Sequence, residues 1–205
     1  IGGRRSLQRK EGESAIAEGF RRGHRGRCAD AFQRILQDVD ETGAVVAHGD
    51  GQGHELQPYE VDGYGNQLFM DDANAPGLSS LAYLGCCPGD DARYRRSRAL
   101  AWSPRNPYFF QGRAAQGIGG PHQGLRMIWP MSIIMRGLSS DDDGEIRQCL
   151  RWLKTTHAGT GFMHEAFDQD DPAHFTRAWF AWANTLFGEL IVQVAAQRPE
   201  LLRHA

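Results

Sequence analysis

The chain lacks a dominant charge, a long apolar run and the repeated valine and isoleucine blocks that a large sheet requires, and each absence removes a class of protein. A formal charge of −2 on 205 residues gives no general pull towards nucleic acid. The basic residues Arg4, Arg5, Arg9, Lys10, Arg21, Arg22, Arg25 and Arg27 read as a solvated end rather than a phosphate-binding patch. The longest apolar stretch, residues 186–196, is interrupted by Gly188, Glu189 and Gln193, well short of the roughly 20 residues that span a bilayer. No nucleic acid and no membrane are therefore expected as partners.

Cysteine is scarce. Cys28, Cys86, Cys87 and Cys149 are the full set, and the adjacent pair lacks the two-residue spacer of a zinc clip or a dithiol redox motif. Free thiols favour a cytoplasmic location. HExxH is absent, the histidines at 122, 157, 164 and 174 share no ligand spacing, and Asp141 to Asp143 lacks the alternation of a calcium loop. The expectation is no cofactor and no required metal. An initiator methionine is also missing, since the chain begins at Ile1 with no signal-like apolar run behind it. It is therefore expected to be the internal or C-terminal part of a longer protein.

Hydrophobic residues make up 40% and aromatics 10%, enough for a core, and their spacing reads as helices alternating with long loops. Phe32, Ile35, Leu36 and Val39 mark an amphipathic helix over 29–40. Leu78, Leu81 and Leu84 carry a short helix after Pro76, ended by Gly85. Asp90 and Asp91 are placed to cap a helix over 92–102, another covers 128–138, and Ser140 or Asp141 caps one over 145–156. The last helix is expected to start near Pro172 and to carry Phe175, Trp179, Trp182, Leu186, Leu190 and Val194 on one side. Segments 106–124 and 158–171 are too rich in glycine to read as regular structure. The predicted class is all-α: paired helices forming a toroid whose loops meet over a central pocket, with about half of the toroid present.

Two stretches hold the chemistry. YEVDGYGNQLFMDDAN, from Tyr59 to Asn74, sets Glu60, Asp62, Asp71 and Asp72 among glycines, Tyr64, Phe69 and Asn74, a mixture of flat apolar faces and acceptors that suits a hydroxyl-rich ligand. One of Asp71 and Asp72 also reads as the cap of the helix that follows at Pro76. GFMHEAF places Glu165 beside His164 and between Phe162 and Phe167, where apolar surroundings would disfavour the charged carboxylate and a nearby histidine or arginine would counter them. A plain solvated loop glutamate is the competing reading. His122 follows Gly119, Gly120 and Pro121, where a ligand can approach the backbone. GIGG at Gly117 lacks the preceding strand of a dinucleotide loop and is rejected as one. Trp129 can serve either core or pocket.

Seven motifs taken in order carry a resemblance: YEVDGYGN at Tyr59, MDDANAP at Met70, NPYFFQG at Asn106, GIGGPHQG at Gly117, IWPMSIIMRGL at Ile128, TGFMHEAF at Thr160 and DDPAHFTRAWFAWANTLFGELI at Asp170. Together they resemble glycoside hydrolase family 125. The resemblance implies an (α/α)6 barrel and an exo-acting, inverting, metal-independent α-1,6-mannosidase whose partner is a mannose-containing oligosaccharide. It implies that Glu165 is the general base, although Ala166 stands where the family's motif usually has serine. It further implies that Asp71, Asp72, Asn74 and His122 line a mannose pocket, with Tyr64, Trp129 and His164 as further contacts. The family's general acid is expected upstream, in a segment without a match here. On this reading residues 1–44 form a partly helical or disordered N-terminal segment, and residues 45–205 form the C-terminal part of the glycosidase domain. The alternative is a degenerate carbohydrate-binding protein that keeps the pocket without turnover. The motifs leave oligomeric state and natural glycan open.

Overall fold

The computed structural model describes residues 56–203 apart from Gly63 and Gly65. The helix expected over 29–40 and the N-terminal segment 1–44 lie outside the described residues. The described elements begin with a small hairpin, β1 (Glu60–Val61) and β2 (Gln67–Leu68), and a 3-10 turn at Leu78–Ser80. Helix α1 (Ala92–Ala101) leads to a second hairpin, β3 (Phe109–Gln111) and β4 (Gln116–Ile118), and then to β5 (Met127–Ile128). Helices α2 (Pro130–Leu138) and α3 (Asp143–Thr155) follow, then β6 (Ala166–Asp168), β7 (Phe175–Thr176), α4 (Ala181–Gln197) and α5 (Glu200–Arg203).

Helix α2 is the centre. Met131, Ile133, Ile134, Met135 and Leu138 are buried on it, and it packs on both α3 and α4. Its partners supply Ile146, Cys149, Leu150 and Leu153 from α3, and Ala183, Leu186, Leu190 and Val194 from α4, at the three- and four-residue steps of a buried helix face. A Cβ on Gly137 would come within 3.1 Å of the Leu190 side chain, so this glycine lets α2 and α4 close on each other. No described helix is long and apolar enough to cross a membrane.

Local signals set the helix starts. Asp91 caps α1 by accepting from the Tyr94 amide at 2.8 Å, and Pro130 opens α2 in the first turn, where its missing N–H leaves nothing unpaired. The cap of α3 is Asp142, which accepts from the Glu145 amide at 2.6 Å; it is neither Ser140 nor Asp141. The last helix starts at Ala181 rather than near Pro172. Phe175 belongs to β7, Trp179 precedes the helix, and Arg177, with φ +42°, stands in a left-handed conformation that no helix continues through.

Helices carry most of the core, but the all-α expectation is not confirmed, because the strand residues Phe110, Met127, Ile128, Ala166 and Phe167 belong to that core as well. Beside five α-helices, the described residues carry seven strands of two or three residues each. β3 and β4 pair antiparallel with Phe110 opposite Gly117, inside the passage expected to be irregular. β5, β6 and β7 form a three-stranded antiparallel sheet, with Ile128 opposite Phe167 and Ala166 opposite Thr176. Strands this short cannot show a period of two, so pattern alone does not reveal them.

One carboxylate braces three helices. Glu145 on α3 takes Arg98 of α1 at 2.8 Å and Arg136 of α2 at 2.5 Å, and Arg98 also donates to the Arg136 carbonyl at 3.1 Å. Burial pushes the carboxyl of Glu145 up, but hydrogen bonds from Arg98 and Ser140 and the charges of Arg98 and Arg136 outweigh it, holding it at about 2. Removing this charge leaves two half-buried guanidinium groups facing each other. Glu145→Gln is expected to cost about 2 kcal/mol at neutral pH, read by denaturant unfolding. The folded value lies below the ordinary 4.5, so the contribution is complete above about pH 5 and is lost as pH falls towards 2. The parent Tm should therefore drop more steeply than the variant's across that window.

Candidate functional site

Asp71 and Asp72 are neighbours with different work. Asp71 is fully buried. It accepts from the Leu78 amide at 3.0 Å, the Ser79 amide at 2.9 Å and the Ser79 hydroxyl at 2.7 Å, which makes it the cap of the turn at Leu78–Ser80. Burial raises its carboxyl to about 6, against those hydrogen bonds and with a push from Asp72. Asn106 fastens its backbone by donating from Nδ2 to the Asp71 carbonyl at 2.9 Å and to the Ala101 carbonyl at 2.8 Å. With its oxygens engaged by the turn, Asp71 serves the fold. Asp72 holds Asn74 through both the amide and Nδ2 at 2.8 Å, and it bonds the Tyr59 phenol, whose pKa is raised by burial first and by Asp72 next.

A line of backbone pairs carries this corner to Trp129. The Ala73 amide donates to the Gly119 carbonyl at 2.8 Å, and the Trp129 amide donates to the Ile118 carbonyl at 3.1 Å. A Cβ on Gly120 would meet Trp129 Cζ2 at 3.8 Å and Asp72 Cβ at 3.9 Å, so Asp72, Gly120 and Trp129 stand side by side. Trp129 is buried, and its indole Nε1 has no partner among the described residues.

The register of the sheet brings Glu165 to the same edge. Ile128 pairs with Phe167 antiparallel, so the chain leaving β5 at Trp129 and the chain entering β6 from Glu165 are adjacent. Residues 163–165 are then fastened to the segment before α4. The Phe180 amide donates to the Met163 carbonyl at 3.1 Å, Asn184 bonds both backbone groups of Met163 at 3.0 and 2.8 Å, and the Glu165 amide donates to the Thr176 carbonyl at 3.2 Å. His164, 1% exposed, stacks on Phe175 with centroids 3.9 Å apart at 4°. Its Nδ1 lies 2.9 Å from the Ala178 carbonyl. A carbonyl only accepts, so in the neutral ring Nδ1 carries the hydrogen and Nε2 is an acceptor. Nε2 is buried without a partner among the described residues.

Glu165 is buried as well, and its Oε2 pairs with Arg177 Nε at 3.2 Å. This disposes of the solvated loop glutamate. Arg177 was not singled out by the sequence reading, and only the general expectation of a histidine or arginine near Glu165 pointed towards it. Tyr59, Phe175 and Thr176 were also missed. The Thr176 hydroxyl is buried without a partner among the described residues and stands opposite Ala166 in the ladder.

Two expected contacts are not gathered in. Tyr64 projects from the first hairpin at 94% exposure, where Asp62 accepts from its amide at 2.9 Å. His122 is exposed in the turn beyond Gly120. Among the described residues, no group of three or more His, Cys, Asp or Glu side chains could hold a metal ion.

The sequence matches the family described as metal-independent alpha-mannosidase (GH125) over residues 8–192, a range that begins well upstream of the first motif, at Tyr59. It is 48% identical over 171 residues to the meiotically up-regulated gene 157 protein of Schizosaccharomyces pombe, covering 83% of this chain and 33% of that protein. The fold is similar to a solved Streptococcus pneumoniae structure from a family of metal-independent alpha mannosidases, a non-productive substrate complex with alpha-1,6-mannobiose. There the TM-score is 0.71 at 41% identity, over 74% of this chain and 35% of that one. The chain thus spans about a third of the length of these relatives.

Asp71→Asn turns an amide N–H2 towards donors that a carboxyl accepts. It is expected to lower stability by about 1–3 kcal/mol near pH 4. Because the folded value of about 6 lies above the ordinary 3.8, the carboxyl's contribution declines as pH rises through 6, and the gap between parent and variant should narrow there. Thermal unfolding at a series of pH values reads both effects.

Proposed function

This chain belongs to the metal-independent alpha-mannosidase family GH125, and from that premise we propose that it supplies the sugar-binding and water-activating side of a hydrolase that releases terminal mannose from α-1,6-linked mannosides. The observation that carries this reading is the edge where β5 ends and β6 begins. A buried carboxylate at Glu165 stands there, with a ring donor at Trp129 Nε1 and a ring acceptor at His164 Nε2, both without a partner among the described residues. A buried polar atom without a partner is costly, and sugar hydroxyls, which both donate and accept, suit a donor and an acceptor alike.

In this reading the reaction inverts the anomeric centre by single displacement. Glu165 takes a proton from a water lying under the anomeric carbon as the water attacks, and an acid carboxyl on the opposite side protonates the departing oxygen. The two carboxyls stand roughly 6.5–9.5 Å apart, which leaves room for the water. The ion pair to Arg177 uses Oε2, so a water on Oε1 need not displace it. Asp72 and Asn74, already bonded to each other, and Trp129 across Gly120 form the wall that meets the sugar. Asp71 supports that wall from behind. The acid is assigned to chain upstream of the first motif, within a full helical barrel of which this chain is a part. Without a general acid the rate falls by about 10²- to 10⁴-fold.

Glu165→Gln keeps the shape and removes the base. Mannose release from α-1,6-mannobiose, with chelator present, is expected to fall at least about 10²-fold, while mannobiose binding measured by calorimetry stays within a few-fold of the parent. Turnover retained by the variant would remove Glu165 from its role. Binding by the parent with no release, even when an upstream half from a relative is supplied, would favour the degenerate binding protein.

A further inference from the structure

Arg177 occupies a backbone position that an arginine enters at a cost. Its φ of +42° lies in the left-handed region, where a Cβ crowds the following carbonyl. Glycine would make the same turn without that crowding, so the turn alone does not call for arginine. The side chain reaches back instead. Its Nε meets Glu165 Oε2 at 3.2 Å, and its Cζ lies 5.8 Å from the centroid of the Phe180 ring. Thr176, directly before it, accepts the Glu165 amide, and Ala178, directly after it, accepts His164 Nδ1. Arg177 therefore sits between the two carbonyls that hold the Glu165 amide and the His164 ring, and it adds the only ion pair to Glu165 among the described residues.

The exposures are unequal: the Arg177 side chain is 65% exposed and that of Glu165 is 8%. An arginine this open contributes little to holding a fold together, whereas a buried carboxylate gains a fixed direction from it. We infer that Arg177 is the positioning residue for Glu165, with its strained backbone serving to aim the guanidinium at the carboxylate that activates water. The inference rests on the mannosidase reading, and its test separates the two.

The decisive variant is Arg177→Gly, which relieves the backbone while deleting the ion pair. Arg177→Lys keeps a cation, and Arg126→Gly is a control. Arg126 also has a positive φ, +71°, and pairs with Asp168 at 3.1 Å, at the opposite end of the same strand pairing. Arg177→Gly is expected to retain the parent Tm and KM for α-1,6-mannobiose while kcat falls about 10- to 100-fold. Arg177→Lys should recover part of that loss, and Arg126→Gly should stay within about threefold of the parent kcat. An Arg177→Gly kcat equal to the control's, or a fall in Tm with no kcat effect beyond it, overturns the inference. If the parent releases no mannose even with an upstream half from a relative supplied, the mannosidase reading fails for this chain, and unfolding of Arg177→Gly, Glu165→Gln and the double variant then decides the link. Non-additive Tm shifts support the coupling; additive shifts refute it.

Discussion

A backbone amide or carbonyl that leaves water has to find a partner, and in this chain the loops between helices meet that demand by pairing with one another. Ala73 pairs with Gly119, Trp129 with Ile118, Ile128 with Phe167, and Glu165 with Thr176. Followed in sequence, these bonds run without a gap from the acidic corner at Asp72 to the ion pair at Glu165. Side chains scattered over more than a hundred positions become neighbours because the main chain leaves them no alternative. The site is a seam of short strands laid across one end of a helical core.

The core and the seam are joined at Trp129. This residue is the N-cap of α2, the helix on which α3 and α4 pack, and it also gives its amide to Ile118 in the seam. A shift of α2 would move the indole and the pairing together. The brace at Glu145 bears on the same helix from the other side, through Arg136 in its last turn. Scaffold and seam are thus coupled through one nine-residue helix, with an ion-paired carboxylate steadying it at one end and the buried Trp129 ring at the other.

What was legible followed physical range. Caps and apolar spacing act over a single turn, so the capping of α1 at Asp90 or Asp91 and the body of α2 could be read directly, as could a capping role for one of Asp71 and Asp72. Phe175 and Trp179 misled because aromatics that pack from an irregular segment happen to continue the spacing of the helix behind them; the left-handed residue between them carries no signal in its identity. The two- and three-residue strands fall below any periodicity. Arg177 lies twelve positions from Glu165, joined only through a turn, and nothing local ties the two. The acidic and histidine-containing motifs stood out by their composition and took their expected roles from the resemblance to a family, and the geometry then separated Asp71 from Asp72, which the letters treat as equal.

The glycines of GIGG are not interchangeable. A Cβ on Gly119 would strike the Met127 carbonyl at 2.2 Å, and one on Gly117 would strike Ile128 Cγ2 at 2.5 Å, whereas at Gly120 it would rest in ordinary contact between Asp72 and Trp129. Drift in sequence is therefore closed at the first two positions by packing and open at the third. A single methyl group at Gly120 would rest against Asp72 Cβ and the Trp129 indole without disturbing the seam, so this is the glycine of the three where a side chain can be added while everything that holds those two residues in place stays as it is.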